Sequence, residues 1–193
     1  MSTTALSKLM LACALAAGVC LPSLAALKVG ADAPDFTTEA ALAGRATPFS
    51  LAQTLKNGPV VLYFYPKAFT SGCTIEAHNF AEATERFAAL GATVVGVSND
   101  NIDTLKKFSV EACRNKFRVA ADEGARILKA YDAGLFIKPD MADRISYVIS
   151  PQGKILYVYS SLSPDQHVAN TLKAVEQWRA SHPKRSEERR VGK

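Results

Sequence analysis

Apolar residues fall along this chain in two alternating rhythms. Val60 to Tyr65 is an unbroken β-branched and aromatic run without charge, which predicts a buried strand. Past Pro66 and the turn residues Thr70-Ser71-Gly72 the spacing changes. From Cys73 to Leu90 the apolar positions Phe80, Ala83, Phe87 and Leu90 recur at helical steps, with no internal glycine or proline. Ala92–Ser98 then predicts a second strand, Ile102 to about Arg114 a second helix, Phe117–Ala121 a short strand and Gly124–Tyr131 a short helix. Arg144–Ser150 and Lys154–Tyr159 read as strands joined by Pro151-Gln152-Gly153 in a hairpin. A last amphipathic helix runs through Val168, Leu172, Val175 and Trp178, with Ser163 as its cap. Ahead of this core, Leu27–Phe36 reads as extended chain. Phe49–Leu55 is a short strand or a turn of helix, broken by Asn57-Gly58-Pro59. The order predicts an α/β fold with a central mixed β-sheet flanked by helices on both faces, without repeat or linker.

Composition alters this picture at the two ends. The length of 193 residues suits one domain with a full core. Residues 1–25 have the order of a secretory signal peptide: Lys8, then apolar Leu9–Leu21, then Ser23-Leu24-Ala25 as a small-residue cleavage site. An uncleaved anchor is the alternative, and a lipid anchor on Cys13 or Cys20 has a weak context. Residues 26–181 form the domain, and residues 182–193 a basic tail with no function attached. The formal charge of +5 comes largely from the ends: Lys8 supplies one and the tail a net three, so the folded body is nearly neutral. Such a body has no call for nucleic acid or an anionic membrane. Removal of the first 25 residues leaves two cysteines, Cys73 and Cys113, in an exported, periplasmic type of compartment where disulfides persist.

Cys73 carries the candidate chemistry. It stands where a strand has ended and a helix begins, beside amide groups with no intrahelical partner and the positive end of the helix dipole. A thiol there is favoured as thiolate, the nucleophilic form. Thr70, three residues earlier, can turn its hydroxyl toward the sulfur or an incoming oxygen. Thiolate and donors together suit attack on a peroxide. Taken alone, the residue reads equally well as an inert buried cysteine.

The spacing P-x-x-x-T-x-x-C formed by Pro66, Thr70 and Cys73 resembles the active-site signature of the peroxiredoxins. The wider stretch from Phe64 to Glu76 is similar to the peroxiredoxin Q class, the bacterioferritin-comigratory proteins, and the likeness runs from about Val29 to Trp178. The resemblance implies a thioredoxin-like fold and a thiol peroxidase. Cys73 is then the peroxidatic cysteine, Thr70 orients the peroxide, Pro66 shields the pocket, and Arg144 is similar to the arginine that lies beside the sulfur. Glu76, one helical turn on, is placed either to hold that arginine or to sit in solvent at the helix start. The resemblance implies peroxide substrates, a thioredoxin-like dithiol reductant, a monomer or dimer, and no cofactor, because sulfur itself carries the two electrons.

One position departs from the pattern. Many peroxiredoxin Q proteins carry a second cysteine five residues after the first; here that residue is His78, read as a helix-face side chain. Some relatives keep a resolving cysteine in the later helix, which makes Cys113 the candidate partner. Spacing along the two helices sets the thiols far apart for a bond that needs Cα atoms within about 7 Å. Resolution through local opening, a bridge between subunits and a filler role for Cys113 all stay open. Two other functions compete: a thiol–disulfide exchange protein, which lacks its C-x-x-C pair, and a copper site from Cys73, His78 and Cys113 or His167, whose ligands are scattered.

Overall fold

The computed structural model describes residues 26–183. The signal-peptide expectation for residues 1–25, and the tail from residue 184 onward, lie outside them. The chain forms β1 (Thr37–Leu42), β2 (Arg45–Ser50), α1 (Leu51–Leu55), β3 (Val60–Phe64), α2 (Ser71–Ala89), β4 (Thr93–Ser98) and α3 (Ile102–Glu111). It continues with β5 (Arg118–Ala121), α4 (Arg126–Ala130), β6 (Gly134–Leu135), β7 (Lys138–Ala142), β8 (Ile145–Ile149), β9 (Ile155–Ser160) and α5 (His167–Ser181).

Seven strands make one sheet in the order β2-β1-β5-β4-β3-β8-β9, while β6 and β7 form a separate ribbon. β3, β4 and β5 run parallel, β8 pairs antiparallel with β3, and β9 pairs antiparallel with β8 at the edge. The sheet is therefore mixed, as expected. Strand β3 shows why a continuous apolar run was needed. Its side chains alternate between faces, and both faces are covered. Val61 and Tyr63 join a core with residues of α2, α3 and α5. Val60, Leu62 and Phe64 join a second core with residues of α1 and α4. Tyr63 stacks on Phe80 of α2 with ring centroids 4.4 Å apart. Its ring also lies over Gly96 of β4, where an added Cβ would come within 2.8 Å of it, so only glycine fits there.

Several boundaries differ from those read in the sequence. α2 begins at Ser71, with Thr70 as N-cap, so Cys73 is the third helical residue rather than the first. α3 stops at Glu111, and Cys113 lies in the turn beyond it, ahead of Arg114 and Asn115, both left-handed at φ 49° and 60°. Ser163 does not cap the last helix: its hydroxyl donates to Asp165, and the N-cap is Gln166. The hairpin of β1 and β2 went unread. Its residues mix Thr, Ala and Pro, and Pro48 is admitted because β2 is an edge strand.

Register brings the site together. β3 and β4 are parallel, so the chain after β3 emerges beside the chain after β4. There the Ala68 amide donates to the Asp100 carboxylate over 2.7 Å, and the Ser98 hydroxyl donates to the same oxygen over 2.9 Å. β8 runs the opposite way, with Ile145 opposite Phe64, the last residue of β3. Arg144 thus arrives at the loop after β3, although 71 residues separate it from Cys73.

Candidate active site

The loop from Tyr65 to Thr70 carries the first site residues. Phe69 holds a left-handed backbone at φ 64°, an uncommon state for a bulky side chain. Its ring meets Phe108 of α3 edge-on, centroids 5.2 Å apart, and Tyr65 stacks on the same Phe108 at 5.5 Å. Thr70 is exposed, and its hydroxyl donates to the Lys67 carbonyl over 3.0 Å. It makes no side-chain cap; its carbonyl accepts the Thr74 amide at 2.9 Å. Pro66, half-buried, lines a cleft of about 530 Å³ with Lys67, Asn99, Asp100, Lys138 and Asp140. Cys73, Thr70 and Arg144 do not line that cleft.

Cys73 is buried, 1% exposed, in the first turn of α2, where its amide has no carbonyl four residues back inside the helix. The Arg144 Nη2 donates to its sulfur over 3.5 Å. Gly72 permits this approach: a Cβ there would stand 3.1 Å from Nη2 and press the guanidinium away. The fork of Arg144 is used on three sides. Nη1 donates to Oε2 of Glu76 in a short contact, and Nε donates to the Leu162 carbonyl over 2.9 Å. Of the two positions open to Glu76, the chain adopts the one that holds the arginine.

The charges here are costly to bury and are compensated by one another. Burial pushes the Glu76 carboxyl up, to about 8, against the downward pull of the Arg144 charge and hydrogen bond. Burial also works against the Arg144 cation, yet Glu76 and Cys73 beside it outweigh this and raise its pKa. Negative charge that develops on the sulfur therefore meets a fixed cation.

Cys113 has different surroundings. It is fully buried and free, and burial alone drives its thiol far above the usual range. Its amide donates to the Phe108 carbonyl over 3.0 Å. The turn around it is tied to α2 by two exposed ion pairs, Arg114 to Glu82 at 3.1 Å and Lys116 to Glu85 at 3.0 Å. Tyr63 and Tyr65 belong to the same core as both cysteines, and their phenols are raised by burial first and then by Cys113. The structure thus joins Cys73, Arg144 and Glu76 in direct contact, places Thr70 and Pro66 on the adjoining loop, and leaves Cys113 as an unbonded thiol.

The copper reading does not assemble. Among the described residues no three of His, Cys, Asp and Glu converge on a metal position. His78 is half-buried on α2. His167 is fully buried at the start of α5, between the Ser146 hydroxyl at 2.8 Å and the Ser161 carbonyl at 2.9 Å. Its Nδ1 lies 3.6 Å from Oε1 of Glu76. A legible sign of its burial was its place four residues before Thr171 on the inward face of α5.

Comparison with known proteins agrees with this geometry. Residues 29–158 match the model of the AhpC/TSA family. The chain is 33% identical over 148 residues to the chloroplast peroxiredoxin Q of Oryza sativa subsp. japonica, an alignment covering 76% of this chain and 66% of that one. It is also 33% identical over 148 residues to the chloroplast peroxiredoxin Q of Sedum lineare, covering 76% of this chain and 77% of the relative. The crystal structure of peroxidoxin BcpB from Mycobacterium tuberculosis superposes with a TM-score of 0.71 at 33% identity, covering 78% of this chain and 97% of the other. The chain spans just under two thirds of the length of the rice relative, as its 66% share shows. A matched family model, a thioredoxin-like sheet and a first-turn cysteine under an arginine agree: the chain belongs to the AhpC/TSA family, as a peroxiredoxin of the peroxiredoxin Q type.

Proposed function

We propose that this chain is a thiol-dependent peroxidase for hydrogen peroxide and organic hydroperoxides. The observation that carries this is the Cys73 sulfur in a buried first turn, with the Arg144 guanidinium at 3.5 Å and Glu76 behind it. In the first step the thiolate attacks the terminal oxygen of a hydroperoxide. The O–O bond breaks, sulfur becomes a sulfenic acid, and the alkoxide leaves and takes up a proton. Arg144 stabilises the charge on sulfur and on the departing oxygen. Thr70 holds the peroxide through its hydroxyl, and Pro66 limits water at the loop.

The second step makes Cys113 the resolving cysteine. Its thiol displaces hydroxide from the sulfenic sulfur, water leaves, and a Cys73–Cys113 disulfide forms. A buried, protonated thiol does not attack readily, so the turn bearing Cys113 must open first. The two left-handed residues and the exposed ion pairs support this reading, since such pairs contribute only about 0.2–1 kcal/mol each. A thioredoxin-like dithiol then returns two electrons and two protons. The signal-like residues 1–25 support export to a periplasmic compartment with residues 26–181 as the working domain, and N-terminal sequencing of the mature protein checks this.

The test is intact mass before and after one equivalent of peroxide. Loss of two hydrogens is the expected result and identifies the intrachain bridge. A gain of one oxygen assigns an unresolved sulfenic acid, and a doubled mass on a non-reducing gel a bridge between chains. Cys73→Ser should abolish peroxide consumption, and normal turnover in that variant would end the proposal.

A further inference from the structure

Among the buried polar atoms without a partner, one belongs to the carboxylate that holds Arg144. Oε2 of Glu76 is held by Arg144, but Oε1 is buried and, among the described residues, has no hydrogen-bond partner. A carboxylate oxygen in that position is costly unless a proton or donor reaches it. The nearest ring is that of His167, whose Nδ1 lies 3.6 Å away, with both side chains fully buried. The tautomer follows from the partners. The Ser161 carbonyl only accepts, so Nε2 carries the hydrogen; in the neutral ring Nδ1 accepts from the Ser146 hydroxyl. The segment that fixes the imidazole also fixes the guanidinium, because Leu162, next to Ser161, supplies the carbonyl that takes Nε of Arg144.

We propose that His167 is a positioning residue for the peroxidatic sulfur, acting through the free oxygen of Glu76 on Arg144. One proton, held either on Nδ1 of His167 or on Oε1 of Glu76, serves both groups across the 3.6 Å between them. While that proton is present, the pair opposite Arg144 is neutral overall, and the guanidinium turns its charge on Cys73. When the proton leaves, a full carboxylate faces Arg144 and takes up part of that charge. This reading rests on the peroxidase proposal for its purpose, though not for its geometry.

Every element packed against His167 enters the balance. α2 offers Glu76. The lead-in to β8 brings Arg144, which disfavours a proton on the ring, and Asp143, which favours one. β8 itself gives the Ser146 hydroxyl, and β9 brings Tyr159, edge-on with centroids 4.8 Å apart. Burial lowers the pKa of the imidazole, and the bond to the Ser161 backbone opposes this. A ring so placed holds a proton only with the Glu76 carboxylate charged beside it.

The experiment follows the rate of Cys73 alkylation by iodoacetamide against pH, in a Cys113→Ser background where Cys73 alone reacts, with the peroxide rate measured in parallel. The expected wild-type profile rises and then declines on its alkaline side as the shared proton is lost. His167→Gln keeps a polar side chain between Ser161 and Glu76 but takes up no proton; its alkaline limb should move to lower pH by about half a unit or more. Ser146→Ala removes the hydroxyl that competes for Nδ1, and should move the limb the other way. A native-fold His167→Gln with an unmoved limb, or with rates lowered uniformly at every pH, overturns the inference. Should that variant not fold, an unmoved limb in Ser146→Ala does the same. A wild type that consumes no peroxide but shows the shifting limb retains this coupling and refutes the peroxidase reading.

Discussion

The two buried thiols of this molecule share a core yet differ in the charges and backbone groups around the sulfur. Cys73 and Cys113 are both about fully excluded from solvent. Cys73 stands in the first turn of a helix with a guanidinium on its sulfur, while Cys113 follows the end of another helix, and burial alone acts on its acidity. Burial by itself therefore produces an inert thiol; burial with a fixed cation produces a site. The cation in turn is held by the carboxylate beneath it, so reactivity at Cys73 belongs to a chain of three groups.

The contrast can be broken from either side. After Cys73→Ser, Cys113→Ser gives the largest effect: turnover with a dithiol reductant should be lost while the first oxidation still proceeds, seen as one unrecycled equivalent of peroxide. Arg144→Lys comes next. A lysine keeps the charge but cannot serve sulfur, Glu76 and the Leu162 carbonyl together, and the oxidation rate should fall by about 100-fold or more in stopped-flow measurement. Gly72→Ala should do less. It improves helix propensity, yet its Cβ meets Nη2 at 3.1 Å, so the rate should fall several-fold (on the order of 1 kcal/mol) while thermal stability is kept.

The smallest effect is on stability against pH. Glu76 is raised in the fold from 4.5 to about 8, so the folded protein binds a proton that the unfolded chain has released between those values. Its contribution is fully present below 4.5 and is lost as pH rises through about 8, with a slope of at most about 1.4 kcal/mol per pH unit. His167 acts in the opposite sense, since a lowered imidazole pKa removes stability as pH falls below 6.5. Urea midpoints should therefore show wild type losing ground to Glu76→Gln across the window from 4.5 to about 8. A constant offset between the two would count against the assigned burial cost.

Legibility in the sequence tracked how local each cause was. β3, α2 and the hairpin of β8 and β9 were readable because their apolar periods are set by burial of the very residues that show them. The ribbon of β6 and β7 and the hairpin of β1 and β2 were not, since their mixed Thr, Ala, Gly, Lys and Pro positions carry no apolar period. Ser163 misled because a cap is a competition, and its hydroxyl found Asp165 two residues on. Cys73, Thr70 and Pro66 were readable as one contiguous motif. The contact of Arg144 with Cys73 depends on strand register across 71 residues, which only the resemblance could supply. Burial of His167 could be read from its four-residue spacing to Thr171, but its place beside Glu76 comes from the packing of α5 against α2, which no local pattern carries.

Phe108 has a consequence for the order of events. Its ring braces Phe69 and Tyr65, and its carbonyl anchors the amide of Cys113. On the proposed resolution by Cys113, the excursion toward the sulfenic sulfur breaks its bond to this shared post, which also braces the residue before Thr70. Closing the bridge and dismantling the peroxide cradle thus become one mechanical event. On that proposal the oxidised molecule is out of service until a reductant lets the post swing back.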